Sequence, residues 1–260
     1  MNSSPVGTSG HCLRDVVSSP DYASRISDVI RQIRVADERS QVLELLHTTT
    51  RHLGVDISAF SSFTASEAAR PSYRVLLACD QRWAIEYEKA KGPAHDPWLA
   101  YARAQSEPIR SSQIALSNSA EREIADLYVA FGFVSAVIVP TPPSRCSTRL
   151  GALFLGASKP DYFDSEGYDN LTVVARSVAM ELNEWFVASI RAEVQAAVHL
   201  TDADLRLLSL VHAGHPTKEI ARRLNRSPQS INSRLQRINA KLGVKRRKSA
   251  EKIATENDLI

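Results

Sequence analysis

The sequence predicts an α+β protein: an N-terminal α-β-α sandwich around a mainly antiparallel sheet, followed by an all-α domain of four helices. Three observations carry that expectation. The chain has 260 residues, more than one typical domain needs. Up to about residue 190 it runs through helical patterns, period-two patterns, helical patterns, period-two patterns and a closing helix. Beyond residue 200 the patterning is helical throughout and the charge turns positive.

Residues 1–20, rich in Ser, Gly and Pro, read as a flexible arm. Tyr22–Val35 places Ile26, Val29, Ile30 and Ile33 at helical spacing, and Gln41–Leu53 reads as a second helix. Ser58–Phe63 and Tyr73–Ala78 read as strands joined through a turn at Pro71. Helical patterns return in Gln81–Lys91, Pro97–Gln105 and Ser119–Phe131. Ser135–Val139 and Leu150–Leu155 form a strand pair across Thr141-Pro142-Pro143, and Glu166 to about Ile190 is one long amphipathic helix. The expected organisation is an arm over 1–20, a domain over 21–190, a linker over 191–199, whose Ala192–Val198 could also extend the helix before it, and a second domain over 200–260.

Composition excludes several classes. With 43% hydrophobic and 23% charged residues the chain is not wholly disordered. Its longest uncharged apolar run, Phe131–Pro143, is too short to span a bilayer. The N-terminus lacks the basic start and apolar core of an export signal, so a cytoplasmic location is expected. Cys12, Cys79 and Cys146 are widely spaced with no Cys-x-x-Cys pair, which argues against a disulfide framework and a structural zinc site. His47 and His52 have no ligand cluster around them, and His95 beside Asp96 has no nucleophile motif to serve. Gly151–Gly156 reads as a strand rather than a phosphate loop. No catalytic residue, metal or cofactor is expected, and the chain does not read as an enzyme.

The formal net charge of +3 hides an asymmetry. Leu200–Ile260 holds 13 Lys and Arg against 6 Asp and Glu, leaving 19 basic and 23 acidic residues before it. A basic module on a mildly acidic body is the charge footprint of nucleic-acid binding. Inside it, Thr201 can cap a helix bearing Leu205, Leu208 and Val211, which Ala213-Gly214 ends. Thr217 opens a short helix with Lys218, Ile220, Ala221 and Leu224. Asn225-Arg226-Ser227-Pro228 supplies a turn, with Pro228 suited to the first position of the next helix.

That third helix has a buried stripe, Ile231, Leu235, Ile238 and Leu242, and off it lie Gln229, Asn232, Ser233, Gln236 and Arg237, flanked by Arg234 and Lys241. Amide side chains read adenine edges and Arg reads guanine or holds phosphate. A short helix, a tight turn and a polar-faced helix is helix-turn-helix logic. Asn232 and Gln236 are the expected base readers; Arg234, Arg237 and Lys241 are the expected phosphate anchors, and Lys218 joins them as a DNA contact.

The last 61 residues resemble the four-helix DNA-binding domain of LuxR-type regulators, on Leu200-Thr201, Leu208, Gly214, Lys218-Glu219-Ile220-Ala221, Leu224, Lys241-Leu242, Arg247 and Ala250. Asp204 stands where that family usually has Glu. The resemblance implies that the third helix reads DNA, that the last helix assists dimerisation, and that the chain works as a homodimer on double-stranded DNA.

In the body, Trp83 and Tyr87 lie four apart, on one helix face, with Asp96-Pro97 nearby in sequence. Such a set can line a small-molecule cleft or simply form an aromatic core with a helix-capping Asp. The stretch WAIEYEKAKGPAHDPW resembles the autoinducer-binding signature of LuxR-type quorum-sensing receptors, and Phe131-Gly132-Phe133-Val134-Ser135 extends the likeness. The resemblance implies an acyl-homoserine lactone or related small signal, with Trp83 donating to the lactone carbonyl, Asp96 accepting the amide N–H and Tyr87 lining the acyl side. Three positions depart from it: Ser111 where a second Trp is usual, Ala136 where a Gly is usual, and Cys79 where some members carry Tyr. All three are candidate pocket residues, and they leave open a regulator that answers to a non-lactone molecule or acts without a ligand.

Overall fold

The computed structural model describes residues 12–64, 73–143, 149–256 and 259–260. The Pro71 turn, Cys146 and residues 1–11 of the expected arm lie outside them. The first compact unit takes in the chain to Pro142 together with Leu150–Trp185; the second takes in Phe186–Ile260, with Pro143 and Arg149 also falling to it.

Five strands build the sheet of the first unit: β1 (Ile57–Thr64), β2 (Arg74–Ala78), β3 (Ile109–Arg110), β4 (Ser135–Thr141) and β5 (Arg149–Ala157), in the order β2-β1-β5-β4-β3. The pairings β1–β2, β3–β4 and β4–β5 are antiparallel, with Phe60 opposite Leu76, Ile109 opposite Ile138 and Ile138 opposite Phe154. One face, with Ala59, Phe63, Ala136, Ile138, Ala152 and Phe154, packs against α4 (Arg82–Lys89), α6 (Pro97–Ala104) and α7 (Ser119–Ala130). On the other face Ser58 bonds Thr50 of α3 (Arg39–Leu53) at 2.6 Å, and Gly151 lies against Asn183 of α8 (Tyr168–Val198). Helices therefore cover both faces, which is why β4 and β5 are almost continuously buried rather than alternating. The fold is the expected α-β-α sandwich.

The structure departs from the sequence reading at four elements, one of them the two-residue strand β3, which that reading did not include. Within the stretch read as an arm, α1 (Leu13–Val17) buries Leu13 and Val17, a four-residue apolar spacing hidden among Ser and Pro. A one-turn helix, α5 (Gly92–His95), precedes Asp96. The residues read as a linker continue α8 as far as Val198, because Ala192–Val198 holds good helix formers and no stop until His199 turns left-handed at φ 51°. The remaining helix of this unit, α2 (Tyr22–Arg34), buries Ile26, Val29 and Ile33.

In the second unit α9 (Asp202–His212), α10 (Thr217–Arg223), α11 (Pro228–Lys241) and α12 (Arg247–Glu256) close round Leu205, Leu208, Ile220, Ala221, Ile231, Leu235, Ile238, Ala250 and Leu259. Thr201 caps α9, and Ser227 caps α11 by accepting the Ser230 N–H at 3.1 Å. Gly214 and Gly243 follow α9 and α11 at φ 79° and 67°. Leu207, wholly buried, joins the core although it lies off the stripe read from sequence.

Candidate ligand and DNA-binding sites

Asp96 is the hub of the first unit's aromatic core. As the N-cap of α6 its Oδ1 accepts the backbone N–H of Trp98 at 2.8 Å and of Leu99 at 3.2 Å. Its Oδ2 accepts the hydroxyls of Tyr87 at 2.6 Å and Tyr128 at 2.8 Å. Burial pushes the carboxyl pKa up, and the four donors recover only part of that rise. Both phenols lie well above their usual value, first through burial and then through the Asp96 charge beside them.

The rings stack in two pairs, Trp83 on Tyr87 at 4.3 Å between centroids and Trp98 on Tyr128 at 3.7 Å, with Trp83 and Tyr128 5.5 Å apart. Gly92 makes the arrangement possible: a Cβ there would lie 2.3 Å from the Tyr87 ring. The Trp83 Nε1 is buried with no hydrogen-bond partner among the described residues. A buried indole N–H normally finds an acceptor, so this donor is available to one.

The six residues expected to line a ligand pocket do not share one. Trp83 and Tyr87 border a cavity of 320 Å³ with Tyr73, Val75, Ala84, Glu88 and Pro93. Ser111 and Ala136 border a separate cavity of 210 Å³ with Trp98, Phe133, Phe163 and others. They meet directly there, the Ser111 Oγ accepting the Ala136 N–H at 3.1 Å. Asp96 lines neither cavity. Cys79 packs against the aromatic cluster, its thiol pushed up to about 12 by burial and then by Asp80. Beside Trp83, the Tyr87 and Tyr128 hydroxyls both donate to the Asp96 carboxylate, the group that an entering amide would use. Sequence reasoning missed Tyr128 and Trp98. Trp98 follows Pro97 directly, whereas the only local trace of Tyr128 was its four-residue spacing from Ile124.

In the second unit α11 exposes Gln229, Asn232, Ser233, Gln236 and Arg237, while Ile231, Leu235 and Ile238 are buried. Lys218 is exposed on α10. Arg234 and Lys241, the other two expected phosphate anchors, have partners within the protein. Arg234 donates through Nε to Asp204 Oδ1 at 2.7 Å and through a terminal nitrogen to Thr201 Oγ1 at 3.1 Å. Lys241 donates to the His199 carbonyl at 2.6 Å and to Asp204 Oδ2 at 3.3 Å. Burial alone would raise the Asp204 pKa; the bonds from Thr201 and Arg234 outweigh it and bring it to about 2.

An aromatic sensor-like domain and a helix-turn-helix unit define a two-domain transcriptional regulator. Residues 38–179 match the autoinducer binding domain, and residues 198–254 match the luxR family of bacterial regulatory proteins. The first match alone spans more than half of the chain, which belongs to this family of LuxR-type regulators. Its members are ligand-responsive transcription regulators rather than enzymes, and their N-terminal domains take small-molecule signals rather than cofactors. No curated protein matches the sequence.

Among solved structures, Escherichia coli SdiA is similar with a TM-score of 0.70 at 15% identity, covering 92% of this chain and 99% of that one. SdiA in complex with octanoyl-rac-glycerol is similar at 0.65 and 14%, covering 92% and 97%. CepR2 of Burkholderia cenocepacia, an N-acylhomoserine-lactone-dependent LuxR family factor, is similar at 0.54 and 15%, covering 64% and 98%. At these identities the likeness is one of fold. Among the described residues no helix is long and apolar enough to cross a membrane, and no group of three His, Cys, Asp or Glu is placed to hold a metal ion.

Proposed function

We propose that this chain binds a two-fold-related promoter site as a homodimer in the cytoplasm and answers to an acyl-homoserine lactone or a related small signal. The observation that carries the DNA reading is the two-sided character of α11. Asn232 and Gln236 stand exposed opposite a fully buried stripe, as a helix entering the major groove requires. Gln229, Ser233, Arg237 and Lys218 flank them, and Arg234 and Lys241 reach phosphate only in competition with Asp204. The signal site is assigned to Trp83, Tyr87 and Asp96, with Cys79, Ser111 and Ala136 at its margins. Occupancy would act by linkage, stabilising one dimer-competent state.

Selection of binding sequences from a random DNA pool, followed by stoichiometry in an analytical ultracentrifuge, tests the first half. A two-fold motif bound by two chains is the expected result; a site without symmetry bound by one chain overturns it. Mass spectrometry of small molecules co-purifying from cells fed candidate lactones tests the second half.

A second reading keeps the DNA function and replaces the lactone by a different signal, or by none. The four donors already on Asp96 favour it. SdiA, similar in fold, has been solved with octanoyl-rac-glycerol, an acyl ester with no amide N–H to offer an aspartate.

A further inference from the structure

We infer that Tyr128 is an internal occupant of the signal site, and that a guest carrying an amide N–H binds only by displacing it. This rests on the assignment of the signal site to Trp83, Tyr87 and Asp96.

A carboxylate offers about four acceptor positions, and all four on Asp96 are taken. The donors differ in how readily they leave. The Trp98 and Leu99 N–H groups belong to the first turn of α6 and cannot withdraw without unwinding it. Tyr87 lies in the notch left by Gly92 and is stacked on Trp83. Tyr128 reaches Asp96 from α7, 32 residues further along the chain. Its hydroxyl supplies the hydrogen bond that an acylamide would bring.

The ring of Tyr128 also touches residues of both cavities: Trp83, which borders the one of 320 Å³, and Trp98 and Phe133, which border the one of 210 Å³. Removing the ring would add space beside the carboxylate it bonds. Guest affinity is reduced by the fraction of time Tyr128 stays in place. The residue therefore sets what the site admits: Tyr128→Phe frees an acceptor without adding room, and Tyr128→Ala frees both.

The test titrates the full chain with N-octanoyl-homoserine lactone, which has the amide N–H, and with methyl octanoate, which has neither an N–H nor an O–H donor, reading thermal shift and calorimetric affinity. Relative to the wild-type chain, Tyr128→Ala is expected to bind both probes at least about tenfold more tightly. Tyr128→Phe is expected to gain several-fold for the lactone and nothing for the methyl ester. Equal lactone affinity in the wild-type chain and Tyr128→Phe overturns the inference even if Tyr128→Ala fails to fold, and so does a folded Tyr128→Ala that gains for neither probe. Binding by the wild-type chain that neither variant improves overturns the inference and leaves the signal-site assignment standing. Silence of all three proteins toward both probes overturns both. Binding by the variants alone upholds the inference and removes the lactone as the natural signal.

Discussion

Arg234 donates through Nε to Asp204 at 2.7 Å, joining the recognition helix α11 to the first turn of α9 across 30 residues of chain. Lys241 reaches the same carboxylate from the other end of α11. Two of the cations that look designed for phosphate are thereby engaged within the protein. Replacing Asp204 by Ala leaves both without their partner and removes the capping bond to the Thr201 N–H. The expected cost is about 1–2 kcal/mol after allowance for solvent screening, read from denaturant unfolding.

The same carboxylate sets a pH dependence. Its pKa in the fold, about 2, lies below the ordinary 3.8. Its contribution is therefore present above about pH 4 and is lost as the pH falls toward 2. Acid unfolding of Asp204→Ala, compared with the unaltered chain, is expected to lack that increment.

Salt dependence separates the cations of α11. Arg237→Ala is expected to lower the slope of log affinity against log salt by about one, because an exposed guanidinium releases a counterion on meeting phosphate. Lys241→Ala is expected to lower the slope by less than Arg237→Ala does and to lower stability as well. Asn232→Ala is expected to lose about 1–3 kcal/mol of discrimination at one base position, with non-specific affinity intact, measured by competition between site variants.

Asp96 behaves in the opposite sense to Asp204. Because burial raises its pKa in the fold, the proton it gains there favours folding. Its contribution is greatest below the ordinary carboxyl pKa and declines as the pH rises through the value in the fold. Asp96→Asn should flatten that decline and cost about 1–3 kcal/mol, since an amide cannot accept from four donors. Urea unfolding of variant and parent across pH 4–8 checks both the slope and the offset.

Gly92→Ala should be as disruptive as a change at Asp96 itself. The added methyl would lie 2.3 Å from the Tyr87 ring, so the ring must leave Asp96 or α5 must shift. A loss of about 1–3 kcal/mol in stability is expected, together with a changed fluorescence of Trp83 as its stacking partner moves.

The helix-turn-helix half could be read almost residue by residue, and the reason is locality. Thr201, Gly214, Ser227-Pro228, Gly243 and the stripe Ile231, Leu235, Ile238 act through neighbours within a turn or two, so their order along the chain carries their meaning. The bonds of Arg234 and Lys241 to Asp204 were not legible there, because Asp204 is remote in sequence from both. Four of the five strands and the long helices of the first unit were equally apparent, while the two-residue β3 is too short to show a period and α1 escaped for want of more than one short apolar spacing.

Residue types and spacings alone established the α+β architecture, the basic reading head, and the gathering of Trp83, Tyr87 and Asp96. Whether those three enclose a void or a filled core was decided only when α7 packed across them, bringing the hydroxyl of Tyr128 onto the carboxylate. Hydrogen bonding and burial of that kind depend on which distant side chains arrive at the same point, and no local pattern records that.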